Sequence, residues 1–288
     1  MPVTTSADPA DRINTTIEAM ERIVTRDPAG RNIAALVQRG HLAAAARALA
    51  DAERVLIAGG FYVPSAKAGE TDGPPGAKAI GAALANLGKE VAYLTDRLNA
   101  PYFKAIGAEP LHVYDSDGNA DDLLKRLRPT HLVAVERLGR AADGCYYNMR
   151  GQDVSEYTEP LDELFLKAPA AGITTVGVGD GGNEIGMGRC VAEIHEHVNL
   201  GREIACVVPT DHLIVCGVSN WGAYGLAGAL SLLAGRDLLP SPEQARGDVE
   251  TIVALGGVDG VTTRQEPTVD GLPLEQSLAL LAELRALL

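Results

Sequence analysis

The stretch ITTVGVGDGGNEIGMG, Ile173 to Gly188, joins a short apolar run to a turn that is rich in glycine. Its first seven residues carry no charge and are all β-branched or glycine, a pattern typical of a strand covered on both faces. The turn that follows presents three polar side chains, on Asp180, Asn183 and Glu184. A buried strand that ends in a polar, glycine-rich turn predicts a parallel sheet with a ligand site at its edge.

Other short apolar runs share this character and alternate with stretches of helical length. The helical stretches lie at residues 76–87, 100–106, 121–127 and 161–170. Strand, helix, strand order predicts an α/β fold with a doubly wound, mainly parallel sheet, Rossmann-like, with helices on both faces. The further runs are RVLIAGG from Arg54, EVAYLTD from Glu90, LHVYD from Leu111, HLVAVER from His131, EIACVV from Glu203 and HLIVCGVSN from His212.

The two ends of the chain are predicted to be helical. No internal repeat or linker interrupts the pattern, so we expect a single α/β domain over residues 1–288. Residues 1–52 would form an N-terminal helical segment packed on it. The terminal helices are predicted at residues 11–26, 31–50, 221–234, 243–255 and 274–288.

The composition argues against several classes of partner. The formal net charge of -13 at pH 7 repels nucleic acid backbones and anionic lipid surfaces, so neither nucleic acid nor membrane is expected as a partner. No segment reaches the roughly 20 apolar residues of a membrane span, and the N-terminus shows no secretory signal.

The four cysteines form no CxxC pair, and Cys206 and Cys216 lie in apolar runs that predict buried thiols. We expect a cytoplasmic protein and leave homo-oligomer formation open.

Polar residues follow five of the predicted strands. The carboxyl ends of parallel strands meet at one edge of a sheet, so these groups should converge on one ligand site. Each group also has a simpler explanation, such as capping of the next helix or a surface ion pair. The groups are Thr71, Asp72 and Gly73; Thr95 and Asp96; Glu136 and Arg137; Asp180 to Glu184; and Ser219 to Trp221.

Two of these loops invite a comparison with phosphate sites. GETDGPPGAKAI leads into a helix whose first N–H groups, near Gly76, could bind an anion, although Pro74 and Pro75 could simply build a rigid turn. The glycines of VGVGDGG match the dinucleotide fingerprint, which is a weak signal by itself. Asp180, and Glu184 at the predicted start of the next helix, would repel a diphosphate. They favour a metal cation or an ammonium group instead, and no nucleotide is expected.

Three further segments carry candidate groups. NMRG places Arg150 beside Asn148 in the long connection 138–159, where its guanidinium could grip a carboxylate or simply be solvated. His195 and His197 point to different faces of a helix, which indicates surface histidines rather than a metal site. TTRQEPTVDG, near the C-terminus, either folds back over the sheet edge or forms a plain loop.

Taken together, these motifs resemble the C-terminal domain of the D-glutamate cyclase family. The resemblance runs from about Arg54 to Leu274 and covers most of the chain. It is carried by TDGPPGA, TDR, ER, YYNMRG, GDGGNEIGMG, GVSNWG and DGVTTRQEPTVDGLP, in that order.

The resemblance implies a lyase, a hydro-lyase that converts D-glutamate to 5-oxo-D-proline and water. The α-amine would attack the γ-carboxylate, and closure of a five-membered ring avoids the entropic cost of joining two molecules. Such a site needs a general base, a cation or acid on the γ-carboxylate, and an anchor for the α-carboxylate.

The sequence supplies candidates for each role, which we state as hypotheses. The acid and base would come from Glu136, Asp180 and Glu184, and Mg²⁺ or Mn²⁺ could bind through Asp180 and Glu184. Two alternatives stay open: a Mg²⁺-dependent enzyme acting on a phosphorylated or nucleotide ligand, and a non-catalytic amino-acid-binding protein. The candidate substrate-binding residues are Thr71, Asp72, Gly73, Arg137, Asn148, Arg150, Gly181, Gly182, Asn183, Ser219 and Asn220.

Overall fold

The computed structural model describes residues 9–114 and 119–288, so residues 1–8 of the predicted N-terminal segment and Asp115 of the LHVYD run lie outside the described residues. Ten strands are assigned in this part of the chain. They are β1 (Arg54–Gly59), β2 (Tyr62–Val63), β3 (Ala68–Gly69), β4 (Glu90–Asp96), β5 (Leu111–Tyr114), β6 (His131–Val135), β7 (Thr174–Gly179), β8 (His212–Val215), β9 (Thr268–Val269) and β10 (Leu272–Pro273).

Six of the strands form one parallel sheet, in the order β5-β4-β1-β6-β7-β8. Counted along the chain, these strands therefore lie in the order 3-2-1-4-5-6, and the direction of winding reverses between β1 and β6. Ligands of doubly wound folds bind beyond the carboxyl ends of the strands at this reversal. The predicted α/β fold is confirmed, and two short antiparallel pairs, β2 with β3 and β9 with β10, are added to it.

Both faces of the sheet are buried, as the continuous apolar runs predict. Alternate residues of a strand point to opposite faces. Val55 and Ile57 of β1 join one apolar core, whereas Leu56 and Ala58 join another on the opposite face. Each core is closed by helices, so helices cover both faces of the sheet.

The helices follow the predicted order along the chain. Small residues on the helix Ser219–Ala234 let its neighbours approach closely, and a methyl group at Gly225 would meet Val24 at 2.8 Å. The helices are α1 (Pro9–Val24), α2 (His41–Ala50), α3 (Pro74–Asn86), α4 (Ala100–Ala105), α5 (Ala120–Leu127), α6 (Asp162–Lys167), α7 (Val191–His197), α8 (Gly201–Ile204), α9 (Ser219–Ala234), α10 (Pro242–Ala254) and α11 (Leu274–Arg285), with 3-10 turns at Ile33–Ala35, Ser155–Tyr157 and Pro169–Ala171.

The predicted helix over residues 31–50 is wrong in its first half. Helix α2 begins at His41, and residues 31–40 contain only a 3-10 turn. Asn32 and Gly40 have φ angles of 63° and 82°, and these left-handed conformations interrupt an α-helix. The interruption frees Arg31 from a regular helix, which matters for the site described below.

The EIACVV run is not a strand of the sheet. Its beginning lies in α8, and its later residues bond to the loop after β7 instead of to a neighbouring strand. Cys206 donates its backbone N–H to the oxygen of Gly182, and Val208 accepts from Gly186 and Gly188. The apolar character of the run reflects burial under this loop, which sequence periodicity does not separate from burial in a sheet.

Several smaller expectations are met. Cys206 and Cys216 are buried free thiols. Both His195 and His197 lie on α7, but only His197 is exposed and His195 is half-buried, so the expectation of surface histidines is met in part. Within residues 9–114 and 119–288, no helix combines the length and hydropathy that a membrane crossing requires.

Candidate functional site

A cavity of about 230 Å³ opens beyond the carboxyl ends of β1, β6 and β7. We call the six carboxyl groups at this cavity the acidic cluster: Glu70, Asp72, Glu136, Asp180, Glu184 and Asp270. Asp72 lies behind the cavity wall, with a carboxylate oxygen within 4.8 Å of those of Asp180 and Asp270, and the other five line the cavity. Asp72, Glu136, Asp180 and Glu184 come from three of the five polar groups expected to converge, whereas Thr95 and Asp96 do not line the cavity.

The glycine-rich turn after β7 binds its own carboxylate. Glu184 accepts hydrogen bonds from the backbone N–H groups of Asp180, Gly181 and Gly182, at 2.8, 2.6 and 2.7 Å. The donors that would hold a phosphate are therefore occupied. Glu184 also does not start a helix, because α7 begins only at Val191. Gly181 and Gly182 contribute these backbone groups and are not part of the cavity lining.

The backbone N–H groups before and within the first turn of α3 also have hydrogen-bond acceptors within the chain. The side-chain oxygen of Asn220 accepts from the N–H groups of Gly73 and Gly76, at 3.1 and 2.7 Å. Its amide donates in turn to the carbonyl of Thr71 at 3.1 Å, and the Thr71 hydroxyl donates to Thr268 at 2.7 Å. The expectation of free N–H groups near Gly76 is therefore wrong. Asn220 joins two loops and takes the place that an anion would occupy.

The amino end of α9 points at two members of the acidic cluster. The N–H of Ser219 lies 2.9 Å from carboxylate oxygens of both Asp72 and Asp180, and the N–H of Asn220 donates to Asp72 at 2.8 Å. The helix dipole places partial positive charge at this end of the helix. The N-terminus of α9 thus partly compensates two buried carboxylates.

Arg31 enters the cluster from the segment before α2. Its guanidinium pairs with Asp180 and with Asp270, the latter at 2.9 Å, and its side chain is only 15% exposed. Burial alone would lower the pKa of Arg31, but the carboxylates of Asp180 and Asp270 outweigh it and raise this pKa. Sequence analysis missed Arg31 because it lies far from every strand end; the Gly30 and Asn32 that flank it, both helix breakers, were the available signal.

Glu136 follows β6 and is held in an uncommon backbone conformation, with a φ of 45°. Its carboxylate accepts a hydrogen bond from the hydroxyl of Ser219 at 2.5 Å. Gly73 makes room for it, because a methyl group at Gly73 would meet the Cβ of Glu136 at 2.7 Å. Burial, followed by repulsion from Glu184 and Asp72, raises the pKa of Glu136 well above its ordinary value.

Arg137 turns away from the cavity. It is 2% exposed, pairs with Asp96, and donates to the carbonyls of Gly60 at 2.9 Å and Glu159 at 2.7 Å. Asp96 also accepts from the N–H of Asn99 at 2.9 Å, the residue before α4, but no side chain caps this helix, so the helix-capping explanation is not met. The structure thus places Arg137 among backbone partners behind the site, and it is not part of the cavity lining.

The long connection after β6 supplies the polar wall of the cavity. Asn148 is buried and accepts from the N–H groups of Arg150 and Gln152, at 2.9 and 3.0 Å. Arg150 is exposed at the rim and donates to the carbonyl of Val261 at 2.7 Å. Asn183 donates to the carbonyl of Tyr147 at 2.8 Å, which ties this connection to the turn after β7.

The loop before α11 folds back over the edge of the sheet, which was one of the two expected alternatives. Asp259 holds this loop by accepting from the N–H groups of Val261, Thr262 and Gly271, at 2.9, 2.8 and 2.7 Å. The loop carries Asp270 into the acidic cluster, where Asp270 pairs with Arg31.

Glu70 is a further charged cavity residue that is absent from the sequence-based candidates. It follows β3, its backbone N–H donates to Phe61 at 3.1 Å, and its side chain is buried. Burial, then repulsion from Glu136 and Asp270, raises the pKa of Glu70 well above its ordinary value. The residue precedes Thr71 directly, so the nearby TD motif was the available signal.

The acidic cluster should make stability depend on pH. Burial and Asp270 raise the pKa of Asp72 to about 7, against the opposing effect of hydrogen bonds from Asn220 and Ser219. An acid whose pKa is higher in the folded chain favours folding at low pH, and this contribution is lost as the pH rises toward 7. We expect the melting temperature of the ligand-free protein to be lower at pH 8 than at pH 5.5, by about 5 °C.

Differential scanning calorimetry of Asp72→Asn checks this expectation. The variant should show a smaller difference between the two pH values, whereas Asp122→Asn, at an exposed position on α5, should keep the full difference. An undiminished pH dependence in Asp72→Asn would contradict the assignment.

Two groups of carboxylates in the described part of the chain could hold a metal ion. Glu136, Asp180 and Glu184 form one, and Asp72, Asp180 and Asp270 form the other; within each group the ligand oxygens lie within 4.8 Å of one another. Carboxylate oxygens suit Mg²⁺ and Mn²⁺. Asp180 belongs to both groups, and Arg31 pairs with Asp180 and Asp270, so a cation engages one ligand of the first group and two of the second. Glu184 of the first group already accepts three backbone hydrogen bonds, which leaves its carboxylate the remaining lone pairs for an ion.

Comparison with known protein families places this geometry in context. Residues 20–285 match the family model described as D-glutamate cyclase-like, C-terminal. The chain belongs to this family. A stretch of 241 residues is 39% identical to the human protein named D-glutamate cyclase, mitochondrial, and covers 75% of the present chain. The matched stretch spans 39% of the length of the human protein.

Two solved structures align with this chain at lower sequence identity. An exopolyphosphatase-related protein from Bacteroides fragilis aligns with a TM-score of 0.44 at 12% identity, covering 87% of this chain and 57% of the other. RecJ from Thermus thermophilus, in complex with Mn²⁺, aligns with a TM-score of 0.35 at 15% identity, covering 86% and 37%.

Proposed function

We propose that the chain is a hydro-lyase that cyclises D-glutamate to 5-oxo-D-proline and water. Membership of the D-glutamate cyclase-like family and the name of the human relative support this reaction. The structural observation that carries the proposal is a small cavity in which the acidic cluster meets two arginines, Arg31 and Arg150. Glutamate carries an ammonium group and two carboxylates, and this arrangement offers a complement to both charges.

The size and donors of the cavity favour a small amino acid. Its volume of about 230 Å³ lies below the roughly 300–1,000 Å³ that is usual for drug-sized ligands. Arg150, whose guanidinium is exposed at the rim, would anchor one substrate carboxylate by two parallel hydrogen bonds. Asn148 and Asn183 line the same wall and would orient the substrate through neutral hydrogen bonds.

The reaction moves two protons from nitrogen to oxygen. The α-nitrogen forms a bond to the γ-carbon, one oxygen of the γ-carboxylate leaves as water, and the two protons that nitrogen loses are those that this oxygen gains. No oxidant or nucleotide is needed for this balance. We assign proton transfer to Glu136, because it lines the cavity and its raised pKa lets it carry a proton closer to neutral pH.

A divalent ion fits the proposal. Asp180 and Glu184, with Glu136 beside them, would hold Mg²⁺ or Mn²⁺ through carboxylate oxygens. Such an ion would supply positive charge that polarises the γ-carboxylate. Glu184 also stabilises the turn that presents Asp180, because it accepts three backbone hydrogen bonds from that turn.

The phosphorylated or nucleotide ligand has less support. A phosphate needs backbone N–H donors, and those of the turn after β7 and of the first turn of α3 bond to Glu184 and Asn220. A non-catalytic amino-acid-binding protein would share the cavity and would differ only in lacking turnover.

Incubation of the purified protein with D-glutamate and, separately, with L-glutamate tests the proposal. Each reaction is run without metal, with Mg²⁺ and with Mn²⁺, and 5-oxoproline is measured by chiral chromatography. We expect 5-oxo-D-proline from D-glutamate. Binding of D-glutamate without product under any of these conditions would favour the binding protein, and the absence of both binding and product would exclude D-glutamate as the substrate.

A further inference from the structure

Glu70 contains a buried acceptor that no residue within 9–114 and 119–288 satisfies. Its side chain is 6% exposed and lines the cavity, and its Oε1 has no hydrogen-bond partner among the described residues. Leaving a buried polar atom without a partner costs free energy, so an atom of this kind in a cavity wall indicates a missing ligand group.

The other carboxylates of the acidic cluster already have partners. Glu184 accepts from three N–H groups, and Asp72 accepts from the first two N–H groups of α9. Glu136 accepts from Ser219, and Asp180 and Asp270 both pair with Arg31. Oδ2 of Asp270 makes no hydrogen bond with the described residues, but it lies 2.9 Å from the Arg31 guanidinium, which compensates its charge. Among the described residues, Glu70 is therefore the carboxylate of the cluster whose buried oxygen has neither an ion-pair partner nor a hydrogen-bond donor.

Gly260 keeps the space that the Glu70 carboxylate occupies. A methyl group at Gly260 would overlap Oε2 of Glu70. Gly260 also lines the cavity, on the loop that Asp259 holds in place. Its backbone does not adopt a left-handed conformation, so alanine is tolerated by the main chain and the flexible end of Glu70 must move.

The ligand group that fits Glu70 is a cation with hydrogen atoms to donate. Three neighbouring carboxylates, on Glu136, Asp270 and Asp72, contribute negative potential at this position, and Arg31 offsets part of it. A carboxylate or phosphate would be repelled there, whereas a primary ammonium is attracted and brings three donors.

We propose that Glu70 is the specificity-determining residue that receives the ammonium group of the substrate through Oε1, with Gly260 keeping its carboxylate in position. This inference rests on the proposed function in one respect: the ammonium is taken to be that of D-glutamate. The product carries a lactam nitrogen without charge, so the charge attraction that holds the substrate ammonium is lost when the ring closes and only one neutral N–H donor remains. Glu70 thus distinguishes substrate from product.

Calorimetric titration with D-glutamate and with glutarate, which has the same two carboxylates but no amine, tests the proposal. The titrations are run in the Glu136→Gln background so that D-glutamate is not consumed. Adding Glu70→Gln should weaken D-glutamate binding by about 10-fold to 100-fold, the range for a hydrogen bond to a charged group, and change glutarate binding less than 2-fold. Gly260→Ala, which retains Glu70, should weaken D-glutamate binding by a smaller factor and likewise change glutarate binding less than 2-fold.

Glu250→Gln on α10, an exposed residue near Arg246, serves as the matched control and should bind both compounds as the parent does. Equal loss of both compounds in Glu70→Gln, or no loss of either, would overturn the proposal. Gly260→Ala decides the same question if Glu70→Gln does not fold.

The proposed function fails separately, through the absence of 5-oxoproline from the wild-type reaction. In that case the titrations are repeated with wild-type Glu136, where a preference for D-glutamate over glutarate that depends on Glu70 would leave the present inference standing.

Discussion

Replacement of Glu136 by glutamine is expected to lower kcat for formation of 5-oxo-D-proline by about 100-fold to 10,000-fold. Glutamine keeps the shape of the side chain and its contact with Ser219, but it does not transfer a proton at neutral pH. The residue lines the cavity and lies at the carboxyl end of β6, beside the point where the sheet reverses its winding. Initial rates with D-glutamate, compared at saturating substrate, measure this effect.

A matched control tests whether loss of one negative charge outside the cavity is enough to lower kcat. Glu163→Gln removes an exposed carboxylate near Arg140 and should leave kcat unchanged. A raised KM with an unchanged kcat in Glu136→Gln would contradict the assignment and would indicate a binding role. The melting temperature of Glu136→Gln should not fall, because the substitution removes a buried carboxyl group whose ionisation is unfavourable.

Replacement of Arg137 by methionine is expected to lower the free energy of unfolding by about 3–5 kcal/mol. The guanidinium pairs with Asp96, and both side chains are 2% exposed, so the substitution leaves a buried carboxylate without its cation. It also removes the donors to the carbonyls of Gly60 and Glu159, which join the loop after β1 to the end of the long connection. Urea denaturation, followed by circular dichroism, measures the loss.

The double variant Asp96→Asn, Arg137→Met tests the cause of this instability. It removes the unpaired charge and should recover part of the lost free energy, so the two substitutions should not be additive. A single variant Arg137→Met with wild-type stability and a raised KM would contradict this expectation and would restore the sequence-based hypothesis that Arg137 binds a substrate carboxylate.

Much of the sheet could be predicted because its strands are buried on both faces. RVLIAGG and ITTVGVGD are apolar at consecutive positions, and this pattern depends only on local sequence. The polar residues after these strands could be placed together because parallel strands end at the same edge of a sheet. Burial without sheet pairing gives the same local signal. EIACVV therefore predicts a strand, although this run does not belong to the sheet.

The partners of these polar residues were not predictable in the same way. Arg137 and Glu136 are neighbours in sequence, yet one lies behind the site and the other lines the cavity. Glu184 and Asn220 each occupy the backbone donors that a phosphate would need. Which donor meets which acceptor depends on loops that are distant in sequence, and local patterns carry no information about that pairing.

By itself, therefore, the sequence determined the α/β fold, the edge of the sheet where polar residues meet, and the acidic character of that edge. Only the tertiary structure decided which cation and which acceptor complete the site. Arg31 lies in the segment before α2, and Glu70 directly follows the short β2–β3 hairpin. Their positions depend on the left-handed backbone at Asn32 and Gly40 and on the space left by Gly260. They also depend on packing between distant segments, since Arg31 and Asp180 are 149 residues apart in the sequence. Charges that far apart in sequence acquire a fixed relation only when the folded chain brings them into one cavity.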